Sequence, residues 1–222
     1  MRNKILAILI LLACSMISCK DENAEQSDAD KSYWGNGKLK SELRHNDGKL
    51  DGVCKWYYDN GNPMMEAVFV NDVLNGEATR WYENGKLEEK AHYKNGNYDG
   101  VVEEYNVFGT LVKKSTYADG VLNGLFNQWY DNGKPFVEGE YLDGMMQGSW
   151  IMYYPDGSIG SSAVYDRGTG VQKGYSQGGV YQNAEIHYKD NLKHGKETHY
   201  NMDGSVSEIL IWQEGEYVGK EK

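Results

Sequence analysis

Hydrophobic and polar positions in this chain alternate in short runs that break at glycine, and the runs return in register. Between Trp81 and Gly100, an aromatic pair (Trp81-Tyr82) meets the turn Asn84-Gly85. A second alternating run then passes through Leu87, Ala91 and Tyr93 to Gly96 and Gly100. Alternation with a period of two predicts half-buried strands. Asn-Gly between two such runs predicts a hairpin, because both residues tolerate positive φ. The phrase recurs as Trp56-Tyr57-Tyr58-Asp59-Asn60-Gly61 and as Trp129-Tyr130-Asp131-Asn132-Gly133. Turn glycines Gly37, Gly61, Gly85, Gly109, Gly133 and Gly157 keep a spacing of 24, and two looser copies follow at Gly179 and Gly204.

Other columns keep step with the turn glycine. The residue four places before it is always aromatic: Tyr33, Tyr57, Trp81, Tyr105, Trp129, Tyr153, Tyr175 and Tyr200. Eight places after it stand Phe69, Tyr93, Tyr117, Tyr141, Tyr165 and Trp212, and a further glycine closes each copy, as at Gly76, Gly100 and Gly148. The period slips late: two residues are missing between Gly168 and Gly170, and one is added between Gly179 and Gly195. The prediction is an all-β fold, an elongated single stack of about eight antiparallel β-hairpin repeats forming an open-ended twisted sheet or solenoid. Each repeat is a hairpin plus a glycine-bounded connector, about sixteen strands and roughly 75 Å of sheet at about 4.8 Å per strand. Trp81, Gly85, Tyr93, Gly100, Trp129, Gly133, Tyr141 and Gly148 are structural repeat positions, since one hairpin alone is marginal and the stack must stabilise it.

Strand parity then sorts the aromatic pair. A three-residue turn with its glycine in a bulge sets the residue four before the glycine on the same face as the residue two after it; a two-residue turn separates them. Both columns are apolar, which favours the bulged turn. Adjacent residues such as Tyr57 and Tyr58 must point to opposite faces. On this register Trp34, Tyr58, Tyr82, Tyr130 and Tyr154 form the exposed column and are the candidate binding strip. The competing reading makes the same rings braces between repeats. Glu66, Glu138 and Glu140 add an acidic edge, read as a solvated face, and the irregular stretch from Ser161 to Gly179 reads as decay of the repeat.

Composition agrees with strands and turns: 18 Tyr and 27 Gly against 3 Pro in 222 residues. The first residues differ. Arg2 and Lys4 precede an apolar run from Ile5 to Ile17, too short for a spanning helix and patterned as a secretory signal. Met16-Ile17-Ser18-Cys19 and Leu11-Leu12-Ala13-Cys14 both resemble the bacterial lipobox, and Cys19 is preferred because Cys14 leaves a very short apolar region. Residues 1–18 are therefore expected to be a lipoprotein signal peptide, 19–32 an acidic disordered tether and 33–222 the repeat domain. Lys20-Asp21-Glu22 resembles the surface-export signal of some Gram-negative lipoproteins. The expected location is the cell envelope, lipid-anchored at the outer membrane. Cys54 is the one cysteine of the expected domain, which excludes a disulfide framework. Net charge is −10, and removing Arg2 and Lys4 makes it −12. That balance opposes nucleic-acid binding and adsorption to anionic lipid.

The phrase aromatic-Tyr-x-Asn-Gly-Lys followed by Glu-x-x-Tyr resembles the MORN repeat family (membrane occupation and recognition nexus), most closely its bacterial variant. Trp81 to Lys86, Trp129 to Lys134 with Glu138 and Tyr141, and Tyr57 to Gly61 with Glu66 and Phe69 carry the resemblance, which spans about residues 33 to 219. It implies a stack of antiparallel hairpins and a protein-binding or scaffolding role, with membrane association for some members and an antitoxin or immunity role for some bacterial ones. Phe108 in place of the turn Asn, and the lost period after residue 161, depart from the pattern.

Chemistry is not indicated. His45, His92, His187, His194 and His199 lack ligand spacing, no phosphate loop occurs, and Asp59-Asn60-Gly61 is hairpin chemistry without the glutamate of a calcium loop. We therefore expect no enzyme, no cofactor and no metal. The expected function is a lipid-anchored extracytoplasmic scaffold that binds another protein, with membrane contact through the N-terminal lipid only. The first alternative is an immunity or antitoxin protein that neutralises a partner toxin; the second is glycan binding through the aromatic strip.

Overall fold

A computed structural model describes residues 29–221. The signal peptide, Cys14, Cys19 and most of the acidic stretch fall outside the described residues. The first strand, Asp30–Tyr33, begins slightly ahead of the expected domain boundary. Among the described residues there is no α-helix; one 3₁₀ turn, Gln177–Gly179, interrupts a continuous antiparallel meander. Successive long strands pair with one another, and the short strands His45–Asn46 and Lys49–Leu50 form a ladder of their own. The first and last described strands remain as two separate edges, so the sheet does not close into a barrel.

The hairpin turns fall in two rows of different chemistry, one along each edge of the meander. In the first row the turn glycine sits in a bulge. The amide of Tyr58 donates to the Asn62 carbonyl at 2.9 Å, the amide of Gly61 donates to the Tyr58 carbonyl at 2.9 Å, and Gly61 has φ 91°. This is a three-residue turn, so Tyr57 lies directly opposite Pro63 and Trp81 opposite Leu87, as the apolar columns required. The expected connectors make the second row, and each is itself a two-residue turn with positive φ at both positions. Asn95 (51°) and Gly96 (83°) form one such turn; Asn71 (51°) and Asp72 (69°) form another without glycine.

A second irregularity lies one step beyond each bulged turn. Tyr57 pairs with Pro63 but Trp56 pairs with Met65, leaving Met64 out, and Trp81–Leu87 is followed by Arg80–Glu89 in the same way. The closing glycines lie in another bulge, formed by their own strand against the preceding one: Ala67 pairs with Ala78 but Phe69 with Leu74, and Ser115 with Phe126 but Tyr117 with Leu122. Toward the following strand Gly76 (φ 132°) faces Tyr93 and Gly124 (φ 119°) faces Tyr141. A Cβ on Gly76 would sit 3.0 Å from Val68 Cβ, so that site is closed by both space and backbone.

Alternation through these bulges gives the sheet two unlike faces. The inner face carries a central column of small residues, including Cys54, Ala67, Ala78, Ala91, Ser115 and Ala163; Cys54, Ala67 and Ser115 are wholly buried. Larger side chains on the same face cover them. Tyr93, Tyr98 and Tyr117 step along the stack at centroid separations of 4.8 and 5.2 Å, and Trp56 meets Phe69 edge-on at 5.9 Å. Where large rings enter the small-residue column, a glycine makes room for them. Trp150 and Phe126 flank Gly139, and a Cβ on Gly139 would lie 2.3 Å from the Trp150 ring.

The late slip in the period is absorbed rather than propagated. The two-residue deletion removes a bulge, so Ile159–Asp166 pairs with Thr169–Tyr175 without a register shift. The shortened strand brings Asn191 within reach of the turn two copies back. Its Oδ1 accepts from the Met146 amide at 2.9 Å, and its Nδ2 donates to the Gly144 carbonyl at 2.8 Å. The added residue enlarges the turn that closes between Ser176 and Tyr181. Decay of the repeat is visible in the sequence here, yet the stack runs on unbroken.

Candidate functional site

The strip predicted from parity occupies a different place. Tyr58 shares alternation with Trp56 and the buried Cys54, so it belongs to the inner face; Tyr57, with Lys55, belongs to the outer one. Trp34, Tyr58, Tyr82, Tyr130 and Tyr154 are half-buried rather than exposed. The bulged turn was anticipated correctly, but the choice of exposed column was reversed: the skipped residue after each turn returns the small-residue column to the side of these rings.

Their polar tips are engaged. Tyr58, Tyr82, Tyr130 and Tyr154 each donate a hydroxyl hydrogen bond to a backbone carbonyl one repeat on, at Trp81 (2.9 Å), Tyr105 (2.7 Å), Tyr153 (2.7 Å) and Tyr175 (2.9 Å). Trp34 does the same through Nε1 to the Tyr57 carbonyl at 3.0 Å. Every bond joins one turn edge to the next, which makes the strip a row of staples. A parallel row runs through the turn asparagines. Asn84 Oδ1 accepts from the Lys86 amide at 2.9 Å, while its Nδ2 donates to the Val107 carbonyl at 2.9 Å; Asn36 and Asn60 repeat the pattern.

Among the six copies in strict period, one lacks both devices. Asn106 stands at the ring position and Phe108 at the turn-asparagine position. Asn106 Oδ1 takes over the turn, accepting from the amides of Phe108 (3.1 Å) and Thr110 (3.0 Å), and the Phe108 side chain is left 73% exposed.

The inner face also holds charge. Glu89 is buried and accepts from the Tyr98 hydroxyl at 2.9 Å, with Arg80 at 3.5 Å. Burial, reinforced by its bonds to Tyr93 and Glu89, pushes the Tyr98 hydroxyl pKa up; burial does the same to Tyr165. These are packing effects; Tyr165 also lines a small hollow of about 160 Å³ with Trp150, Met152 and Gln172. Among the described residues no group of three or more His, Cys, Asp or Glu is placed to hold a metal.

The outer face is open. Its first copies are laced by ion pairs between directly opposed residues: Lys31–Glu42 at 3.2 Å, Lys55–Glu66 at 2.9 Å and Lys114–Glu103 at 2.9 Å. Further along, aliphatic side chains replace the charges, and Leu125 (65% exposed) and Val164 (70%) project from it. Two adjoining shallow grooves run here. One, of about 550 Å³, is lined by Leu125, Asn127, Glu138, Glu140, Ser149 and Ile151; the other, of about 410 Å³, shares Ser149 and Ile151 and adds Val164, Val171 and Lys173. Sequence reasoning named Glu138 and Glu140 but missed Leu125 and Val164, whose signal was an aliphatic residue at positions that carry charge or polarity in other copies, such as Glu77 and His92.

Fold and surface together define a β-hairpin repeat protein whose side chains mostly hold neighbouring copies together and whose outer face leaves large aliphatic side chains exposed. A family model described as a MORN repeat variant matches residues 50–71, 74–95 and 122–143, so three of the hairpin copies are similar to MORN repeats. The matched segments skip the copy that carries Asn106 and Phe108. No curated protein matches the chain.

Proposed function

We propose that this chain is a non-catalytic scaffold that binds another protein through the outer face of its sheet, held at the cell envelope by a lipid on Cys19. The observation that carries the binding reading is the exposure of Leu125 and Val164 on an open face with adjoining grooves. Large aliphatic side chains left on an open face, beside groups that can fix register, are what a protein partner covers. The family resemblance supports the same reading, and the lipid anchor rests on the Ser18-Cys19 sequence alone. The aromatic strip offers a glycan little, since its hydroxyls are already bonded within the stack. An immunity role is a special case of protein binding that no feature of the outer face favours.

Two measurements test the proposal. Capture from the source cells with the full chain should yield a discrete protein partner that Leu125→Asp with Val164→Asp loses; equal capture by both forms would refute the face. Cys19→Ala should abolish metabolic lipid labelling, and persistent labelling would move the anchor to Cys14.

A further inference from the structure

The outer face changes character along the stack. In the early copies Glu42, Glu66 and Glu103 on this face are each met by a cation directly across the strand pair, Lys31, Lys55 and Lys114, while Glu77 faces His92. In the copy that follows Gly133 the cation column lapses. Glu138 lies opposite Asn127, and Glu140 lies opposite Leu125. Glu138 accepts a hydrogen bond from the Tyr153 hydroxyl at 3.1 Å, and no cation is paired with either carboxylate among the described residues. Both acids line the same groove as Leu125 and Ile151, and that groove continues past Val164 to Lys173 on the far side.

We infer that this trough is the docking site for a peptide segment of a partner protein in which a basic residue is followed by two or more aliphatic residues. The inference rests on the protein-binding reading above and names the partner's chemistry. The basic residue completes the ion-pair column over Glu138 and Glu140. The aliphatic residues cover Ile151, Val164 and Val171, and Lys173 selects an acidic or C-terminal group at the other end. Spacing supports the length. The trough crosses five strands, from Val121–Trp129 to Thr169–Tyr175, a span of roughly 19 Å at about 4.8 Å per strand. An extended segment of about six residues covers that distance. Charge fixes direction and register, and the aliphatic contacts supply most of the affinity.

The test uses the full chain immobilised through its C-terminus and a displayed library of random seven-residue peptides. Enriched peptides should carry Lys or Arg followed by aliphatic residues. Their affinity should fall at least tenfold in Glu138→Gln with Glu140→Gln, and it should weaken with salt for the unaltered chain but not for that variant. Neither carboxylate has a cation to lose, so the variant keeps its thermal midpoint, and an unchanged circular dichroism melt verifies this. Acidic peptides should bind a Glu138→Lys, Glu140→Lys chain instead. The docking site is overturned if no peptide is enriched, if the enriched set lacks basic residues, or if a glycan or a zwitterionic vesicle binds there in their place. If a protein captured from cells still binds the Gln variant while its capture is lost with Leu125→Asp and Val164→Asp, the scaffold reading stands and this partner chemistry fails.

Discussion

The hydroxyl of Tyr82 donates a 2.7 Å hydrogen bond to the backbone carbonyl of Tyr105, one full repeat along the chain. A side chain that looks available in sequence is thereby committed to holding two copies in register. Tyr82→Phe keeps the ring and removes the bond, leaving a carbonyl short of a partner. We expect a loss of about 0.5–1.5 kcal/mol, or a fall in Tm of a few degrees for a domain of this size. Partner capture should be unchanged. A variant that binds normally but melts lower matches the staple; one that melts normally but loses its partner identifies a binding strip.

Gly139 is fixed by its neighbour across the ladder. Gly139→Ala drives a methyl group into the Trp150 ring, at 2.3 Å before relaxation. Overpacking of this kind costs about 1–3 kcal/mol. Trp150→Val in the same chain should recover part of the loss, and a double-mutant cycle by chemical denaturation measures the coupling. Additive losses would show that the ring does not set the glycine.

Asn106 and Phe108 leave the copy between Gly100 and Gly120 without the ring staple and the turn-asparagine bond, and Asn106 Nδ2 reaches the next copy at the Asp131 carboxylate instead, at 3.0 Å. Asn106→Tyr with Phe108→Asn restores the ring staple and the turn bond seen at Tyr82 and Asn84. The paired change should raise Tm by a few degrees, since each bond contributes about 1 kcal/mol. No rise would mean that Asn106 already replaces what the ring supplies.

Stability should depend on pH at both ends of the range. The hydrogen bond from Lys31, with that from Tyr57, holds Glu42 below the usual carboxylate range; Lys114 and Tyr105 do the same for Glu103. Their contribution is full above the unfolded glutamate pKa of about 4.3 and is lost as pH falls through the lower folded values. At the other end, Tyr98 and Tyr165 are raised by burial. The stability they carry is present below about pH 10 and is lost as pH rises toward their folded values. Thermal melts should be flat near neutrality and fall on both sides. Tyrosinate absorbance that rises fully before the β-sheet signal is lost would contradict the buried hydroxyls.

The architecture was legible because glycine and the Asn-Gly turns state the hairpins locally, and the apolar columns settle the bulged turn. The second bulge, at Met64 and Glu88, has no residue signature, so the parity that placed Tyr58 and Tyr82 outside failed at that step. The pairing of Gly76 with Tyr93 was present as two columns but depends on a register that sequence does not print. The reach of Asn191 to Gly144 and Met146 was invisible for another reason: it exists because a strand two residues shorter drew distant copies together. The open face was the least legible, since Leu125 and Val164 look like ordinary core residues of alternating strands.

The central claim is that partners meet the outer face between Leu125 and Val171. A photo-reactive residue placed at Val164 in the full chain, irradiated in the cells that make it, tests this most directly, with a second at Lys90, further along the same face, as reference. The account predicts a discrete protein adduct from position 164 and none from position 90. No adduct at 164, or the same adduct from both positions, would contradict it.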